Sequence, residues 1–141
     1  MINKVVKIYL AGGMRSGWQD HVMKVVRQQF PKLPIMFLDP RQHGANDEQV
    51  YTAWDLEGVR IADILFVYVE KDNPAGHGAC LEIGYAQGLN TGKRIVSVFE
   101  QDHPQYRYFG MARVASDFHF DNFQDGLGTL ISVIATIYRD M

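Results

Sequence analysis

Ile64-Leu65-Phe66-Val67-Tyr68-Val69, the breaker-rich Glu70-Lys71-Asp72-Asn73-Pro74-Ala75-Gly76-His77-Gly78 and the small-residue run from Ala79 to Leu89 set the fold. Six apolar residues without alternation mark a strand buried on both faces. The loop carries proline and glycine, and Ala79–Leu89 reads as a helix closed by Asn90-Thr91-Gly92. Strand, loop and helix in that order are half of a βαβ unit.

The same alternation continues in both directions. Downstream, Arg94–Phe99 reads as a further strand, residues 100–117 have no clear period, and Phe118–Phe120 reads as a short last strand. Leu127, Leu130, Ile131, Ile134, Ile137 and Tyr138 then recur at helical spacing. Upstream, a helix is expected from about Gln49 to Ala62, with Val50, Ala53, Trp54 and Ile61 as its apolar positions. Residues 41–49 read as loop. Ile35–Leu38 is a strand stopped by Asp39-Pro40. Trp18, Val22, Val25, Val26 and Phe30 mark a helix ended by Pro31 and Pro34. Val5, Val6, Ile8, Tyr9 and Leu10 form the first strand, ended by Gly12-Gly13. Alternation of this kind implies right-handed crossovers and a flavodoxin/Rossmann-like parallel sheet of about five strands with helices on both faces. Residues 1–141 are read as a single domain.

Composition narrows the function. Net charge is −2, which argues against a nucleic-acid polymer as partner, since such domains carry a basic face. Hydrophobic residues at 47% and charged residues at 21% fit an ordered globular chain. Cys80 is the one cysteine, so no internal disulfide forms and a reducing, cytoplasmic location is expected. No apolar run reaches the length of a membrane span, and residues 1–8 lack the pattern of a signal peptide. No His/Cys/Asp spacing suggests a metal site, and no cofactor is expected.

In parallel sheets ligands bind beyond the carboxyl ends of the strands. That rule selects the loops Ala11–Gly17, Asp39–Asp47, Glu70–Gly78 and Glu100–Ser116. Gly12, Gly13 and Met14 open a helix, where backbone N–H groups approach an anion or a sugar; a plain packing turn is the alternative. Asp39 ends the second strand, where dinucleotide folds place a ribose-binding acid. Asp55 is a helix-flank carboxylate, and Asp63 reads as a structural cap. Glu82 falls in the first turn or so of the expected helix, where the dipole favours its ionised form and so a nucleophile. Gly78 and the other small residues around it suit the close approach of a ligand. Cys80 reads as a small core residue and His77 as a loop residue.

The motifs Ile8-Tyr9-Leu10-Ala11-Gly12, Asp39-Pro40, Asp55-Leu56 with Ala62-Asp63-Ile64, and Glu82-Ile83-Gly84-Tyr85-Ala86 resemble, in order, those of the nucleoside 2-deoxyribosyltransferase superfamily, which also contains deoxynucleoside monophosphate N-glycosidases. The resemblance implies a retaining, two-step reaction on a small nucleoside and a free nucleobase. Glu82 would be the nucleophile at C1′, Tyr9 the group that orients it, and Asp55 the assisting carboxylate. It also implies a homo-oligomer in which Phe109 and Met111 reach a neighbouring site. Two positions depart from the family pattern. Phe109 stands where a polar contact to the sugar's 5′ end is expected, which favours nucleosides over nucleotides and leaves Arg15 and Ser16 as phosphate contacts. Gly76 stands where transferases carry a base-contacting aspartate, with Asp72 and Asn73 as candidates to replace it. Deoxyribosyl transfer, hydrolysis by an N-glycosidase and a non-catalytic nucleotide-binding domain of the same fold all stay open.

Overall fold

The computed structural model describes residues 4–141. Five strands form one wholly parallel sheet in the order β2-β1-β3-β4-β5. They are β1 (Val6–Gly12), β2 (Ile35–Leu38), β3 (Ile64–Val69), β4 (Arg94–Phe99) and β5 (Phe118–Phe120). Five helices join them: α1 (Trp18–Gln29), α2 (Glu48–Ile61), α3 (His77–Leu89), α4 (Gly110–Ala115) and α5 (Phe123–Arg139). The order reverses between β1 and β3, the switch point at which doubly wound sheets hold their ligands.

The sheet is covered on both faces, so β3 is buried at every residue. One face packs α1 and α5 through Trp18, Val22, Val26, Leu130 and Ile134 against Ile8, Leu10 and Phe66. The other packs α2, α3 and α4 through Val59, Ile83, Ala86 and Ala112 against Leu65, Val67 and Phe99. Each large side chain removed from water in this way contributes roughly 1.5–3 kcal/mol. The alternation of core faces along β1 points Tyr9 and Ala11 toward α2 and α3.

Four expectations change. First, α3 begins at His77, two residues early, because Gly76 adopts φ 151° and serves as its N-cap; His77 is therefore helical. Second, Val50 is 54% exposed and Ala53 is exposed, and α2 buries Gly58 and Val59 instead. Third, the 100–117 segment contains a 3-10 turn, Tyr106–Phe109, followed by α4. Fourth, a 3-10 turn over Pro40–Gln42 runs into the expected 41–49 loop. Asp47 caps α2 by accepting from the N–H groups of Gln49 and Val50, which fixes that helix start.

Candidate active site

Tyr9, Asp55 and Glu82 converge between β1, α2 and α3. Tyr9 is wholly buried. Its ring fits under α2 because residue 58 is glycine: a Cβ there would lie 2.8 Å from Tyr9 Cε2. The Tyr9 hydroxyl is within reach of both carboxylates, yet makes no bond of ordinary geometry with either. Burial raises its pKa first, and the negative charges of Glu82 and Asp55 raise it further.

Glu82 is 8% exposed and its Oε2 has no partner within the chain. It is the sixth residue of α3, so it stands in the second turn rather than the first. The helix dipole fades within the first turn. Burial therefore decides its state, pushing its pKa up to about 8; the Tyr9 hydroxyl opposes this and the Asp55 charge adds to it. The dipole expected from sequence is therefore a minor influence on this carboxylate, and burial is the main one. Asp55 is also raised, by burial first, while the nearby His43 ring and Tyr9 hydroxyl pull the other way.

His43 was not singled out by sequence. Its Nε2 lies 3.3 Å from Asp55 Oδ1. Its Nδ1 accepts the N–H of Ala45 at 2.9 Å, which assigns the neutral ring's proton to Nε2, facing Asp55. The ring lies against Tyr51 and edge-on to Trp54, with centroids 6.4 and 5.3 Å away. Five buried side-chain atoms among the described residues have no partner in the chain; four of them are Tyr9 Oη, His43 Nε2, Asp55 Oδ1 and Glu82 Oε2. Buried polar atoms are ordinarily paired, so their concentration here makes this cluster the candidate site. A cleft of about 90 Å³ runs over Asp55 and Glu82, rimmed by Gly78, Leu81 and Leu56. A Cβ on Gly78 would meet no atom within 4 Å, so protein packing does not require glycine there.

Other candidates fall elsewhere. Asp39 is 3% exposed and structural: Oδ1 and Oδ2 both accept from Arg41, at 2.6–3.2 Å, and Arg41 also reaches Asp20 at 2.8 Å. In the chain alone its oxygens are therefore engaged by Arg41. Gly12 is a packing glycine, because a Cβ there would lie 2.0 Å from the Tyr68 carbonyl oxygen. Met14, Asp72 and Asn73 line a second pocket, of about 390 Å³, between the loops that follow β1 and β3. Asp63 is the structural cap expected, accepting the N–H of Lys7 at 2.9 Å. Cys80 is half-buried, and burial raises its thiol pKa.

Phe109 is 4% exposed, with its ring 4.8 Å from that of Phe99 and 5.0 Å from that of His103. It is packed inside its own chain, whereas Met111 is 87% exposed. Gly76 and Phe109, the two positions that depart from the family pattern, lie against each other. A Cβ at residue 76 would lie 2.9 Å from Phe109 Cζ, so the aromatic ring occupies the room a side chain at 76 needs. No group of three or more His, Cys, Asp or Glu among the described residues is arranged to hold a metal ion. No helix among them is long and apolar enough to cross a membrane.

A family model described as nucleoside 2-deoxyribosyltransferase like matches residues 5–101, from the approach to β1 through β4. Among solved structures, the 2-deoxyribosyltransferase of Bacillus psychrosaccharolyticus is similar with a TM-score of 0.59 at 23% identity, over 85% of this chain and 89% of that one. The 2-deoxyribosyltransferase of Leishmania mexicana gives 0.59 at 17%, over 90% and 97%. A CMP N-glycosidase of Clostridium botulinum gives 0.55 at 14%, over 88% and 97%. These likenesses establish the fold. No curated protein sequence matches the chain.

Proposed function

The chain belongs to the nucleoside 2-deoxyribosyltransferase-like family, and from that premise we propose that it cleaves the N-glycosidic bond of a 2′-deoxynucleoside and passes the deoxyribosyl group to another nucleobase. The observation that carries this reading is the buried carboxylate Glu82, unpartnered at Oε2, facing Tyr9 and Asp55.

Two carboxyl groups with raised pKa values that repel each other's charge favour sharing one proton. The reactive arrangement has Glu82 ionised and Asp55 protonated. Glu82 attacks C1′ and forms a C1′–O bond as the C1′–N bond breaks. The electron pair of that bond goes to the leaving base, which takes the proton of Asp55. The His43 Nε2–H then faces a newly charged Asp55 and stabilises it. In the second step a nitrogen of the incoming base attacks C1′, the bond to Glu82 breaks, and the base's proton returns to Asp55. Two inversions give net retention. The Tyr9 hydroxyl donates to Glu82 when it is ionised and holds it in line. Met111, with Val114 also 80% exposed, supports a homo-oligomer in which a second copy completes the site.

A specific feature favours hydrolysis as the second reading: residue 76 brings no base-contacting carboxylate, because Phe109 fills its place. One assay separates the two. A deoxynucleoside is incubated with a different free base, and the same is done with its 5′-monophosphate. Transfer predicts the exchanged nucleoside. Free deoxyribose and base alone would establish the N-glycosidase, and no bond cleavage with any of the natural bases would overturn both.

A further inference from the structure

His103 lies in the segment between β4 and α4, is 4% exposed, and uses both ring nitrogens. Nδ1 accepts the N–H of Gln105 at 3.0 Å. An amide N–H only donates, so that nitrogen carries no proton. The proton sits on Nε2, which donates to the carbonyl oxygen of Asn73 at 2.6 Å. The imidazole thus joins the loop after β4 to the loop after β3.

The loop it grips shapes the larger pocket. Residues Gly13–Ser16 form one wall and Glu70–Pro74 the other, around about 390 Å³. Ser16 Oγ donates to Glu70 Oε1 at 2.8 Å, tying the walls together at the rim. The Lys71 N–H donates to Glu100 Oε1 at 2.9 Å, a second tie to the loop after β4. Both of these rim bonds are exposed, whereas the His103 bond has a buried donor. A bond shielded from water opens less readily than an exposed one. The His103 ring also packs edge-on to Phe109, the residue that closes over Gly76 where the loop enters α3. Met14 and Pro74 give the pocket apolar surface, and Ser16, Asp72 and Asn73 give it hydrogen-bonding edges. That combination suits a flat heterocycle.

We propose that His103 is a positioning residue: by holding the Asn73 carbonyl it fixes the wall of the pocket that receives the substrate's base. The assignment of the base to this pocket rests on the reaction proposed above; the latch itself does not. His103 touches no reacting atom, so it governs how well substrate is held rather than the bond-breaking step.

Amide hydrogen exchange without substrate, at Asn73 and Ala75, tests the latch. His103→Phe keeps a ring but no donor, and should speed exchange at both amides about tenfold or more. His103→Gln keeps an N–H donor and should return exchange to within about threefold of the native rate. Unchanged exchange in His103→Phe would overturn the proposal. In steady-state assays of base release, His103→Phe should raise KM about tenfold with kcat within about twofold; a fall in kcat at unchanged KM would also overturn it. If no substrate is turned over by the native protein, the reaction proposal fails while the exchange result still decides the latch. Should His103→Phe not fold, nitrogen NMR of the unaltered protein decides: a proton on Nε2, coupled to the Asn73 carbonyl, supports the latch, and a proton on Nδ1 refutes it.

Discussion

Asp39 and Glu82 are both buried carboxylates near the carboxyl edge of one sheet, 3% and 8% exposed, and they have opposite fates. Asp39 is surrounded by donors, with Arg41 on both oxygens and the Arg41 N–H on Oδ1. Glu82 has an oxygen with no partner and a pKa pushed up to about 8. A buried charge is tolerated when paired; otherwise the group takes up a proton. Asp39 follows the first course and Glu82 the second. Position and residue type do not separate these two carboxylates, whereas the state of their bonds does. The two regions are also linked. Asp39 caps the Pro40–Gln42 turn, and that turn delivers His43 to Asp55. The satisfied carboxylate builds the frame that holds a partner of the unsatisfied pair.

The largest effect that could break this contrast is at Glu82. Glu82→Gln should lower the rate of base release by about 10⁴-fold or more, as loss of a covalent nucleophile does, while the folded protein becomes more stable at neutral pH. The sign follows from linkage. Below about 4.5 the carboxyl is neutral in both folded and unfolded chains. Between there and about 8 the unfolded chain releases its proton and the folded chain keeps it. Stability of the native protein therefore falls as pH rises through that window and levels off above it. Glu82→Gln removes this slope, for a gain on the order of a few kcal/mol at pH 8. Melting curves of both proteins from pH 4 to 9 check it; parallel curves would place the unpaired carboxylate in water rather than in the core. The kcat/KM of the native protein should fall as pH rises through about 8, where the pair loses its shared proton and Asp55 no longer has one to give the leaving base.

Next in size is the Asp55–His43 pair. Asp55→Asn should lower kcat about 100- to 1000-fold, and His43→Phe about 10- to 100-fold, since proton transfer by a placed side chain contributes about 10²–10⁴. The double variant should lose no more than Asp55→Asn alone, because His43 acts through Asp55. Losses that multiply would show that His43 works separately.

Asp39→Ala belongs to the other side of the contrast. It should cost about 2–3 kcal/mol of stability, from an Arg41 left without its buried partner. The folded fraction should lose no more activity than His43→Phe, since the route from Asp39 to the chemistry runs through that histidine. Denaturant titration and a rate measured on the same sample separate the two effects.

The difference between these regions also explains what the sequence made legible. A parallel strand covered on both faces reads as an unbroken apolar run, so Ile64–Val69 is legible at its observed bounds, and Arg94–Phe99, apolar but for Arg94 and Ser97, is legible at its own. Tyr9, Asp55 and Glu82 are legible in the sequence and the chain brings them together, but the burial that raises the pKa of Glu82 is not. Glycines at 76 and 78 masked the true start of α3, and with it the depth of Glu82 in the helix. α4 showed no core-facing period because Met111 and Val114 point outward. His43 sits in a polar loop, and its partner lies in a different element; only the fold joins them. The clearest signal for Gly58 was available, a lone glycine inside a helical pattern, since such a residue marks close packing. Its contact, the Tyr9 ring, was not readable from one sequence.

The smallest expected effect sharpens the contrast most, because it separates stability from binding at one atom. Gly78 is the second residue of α3 and borders the cleft over Glu82. Its Cβ would meet nothing within 4 Å, and its φ is not in the left-handed region. Gly78→Ala should therefore stabilise the fold by about 0.4–1 kcal/mol, through lower entropy of the unfolded chain and better helix propensity. Gly78 borders the cleft in which the proposed reaction seats the sugar, so KM should rise several-fold while the melting temperature goes up. A glycine kept for packing behaves the other way: at Gly12, where the Tyr68 carbonyl is 2.0 Å from the new Cβ, alanine should destabilise the protein outright. If Gly78→Ala raised the melting temperature and left KM unchanged, the substrate would have to approach Glu82 from another side of the cleft.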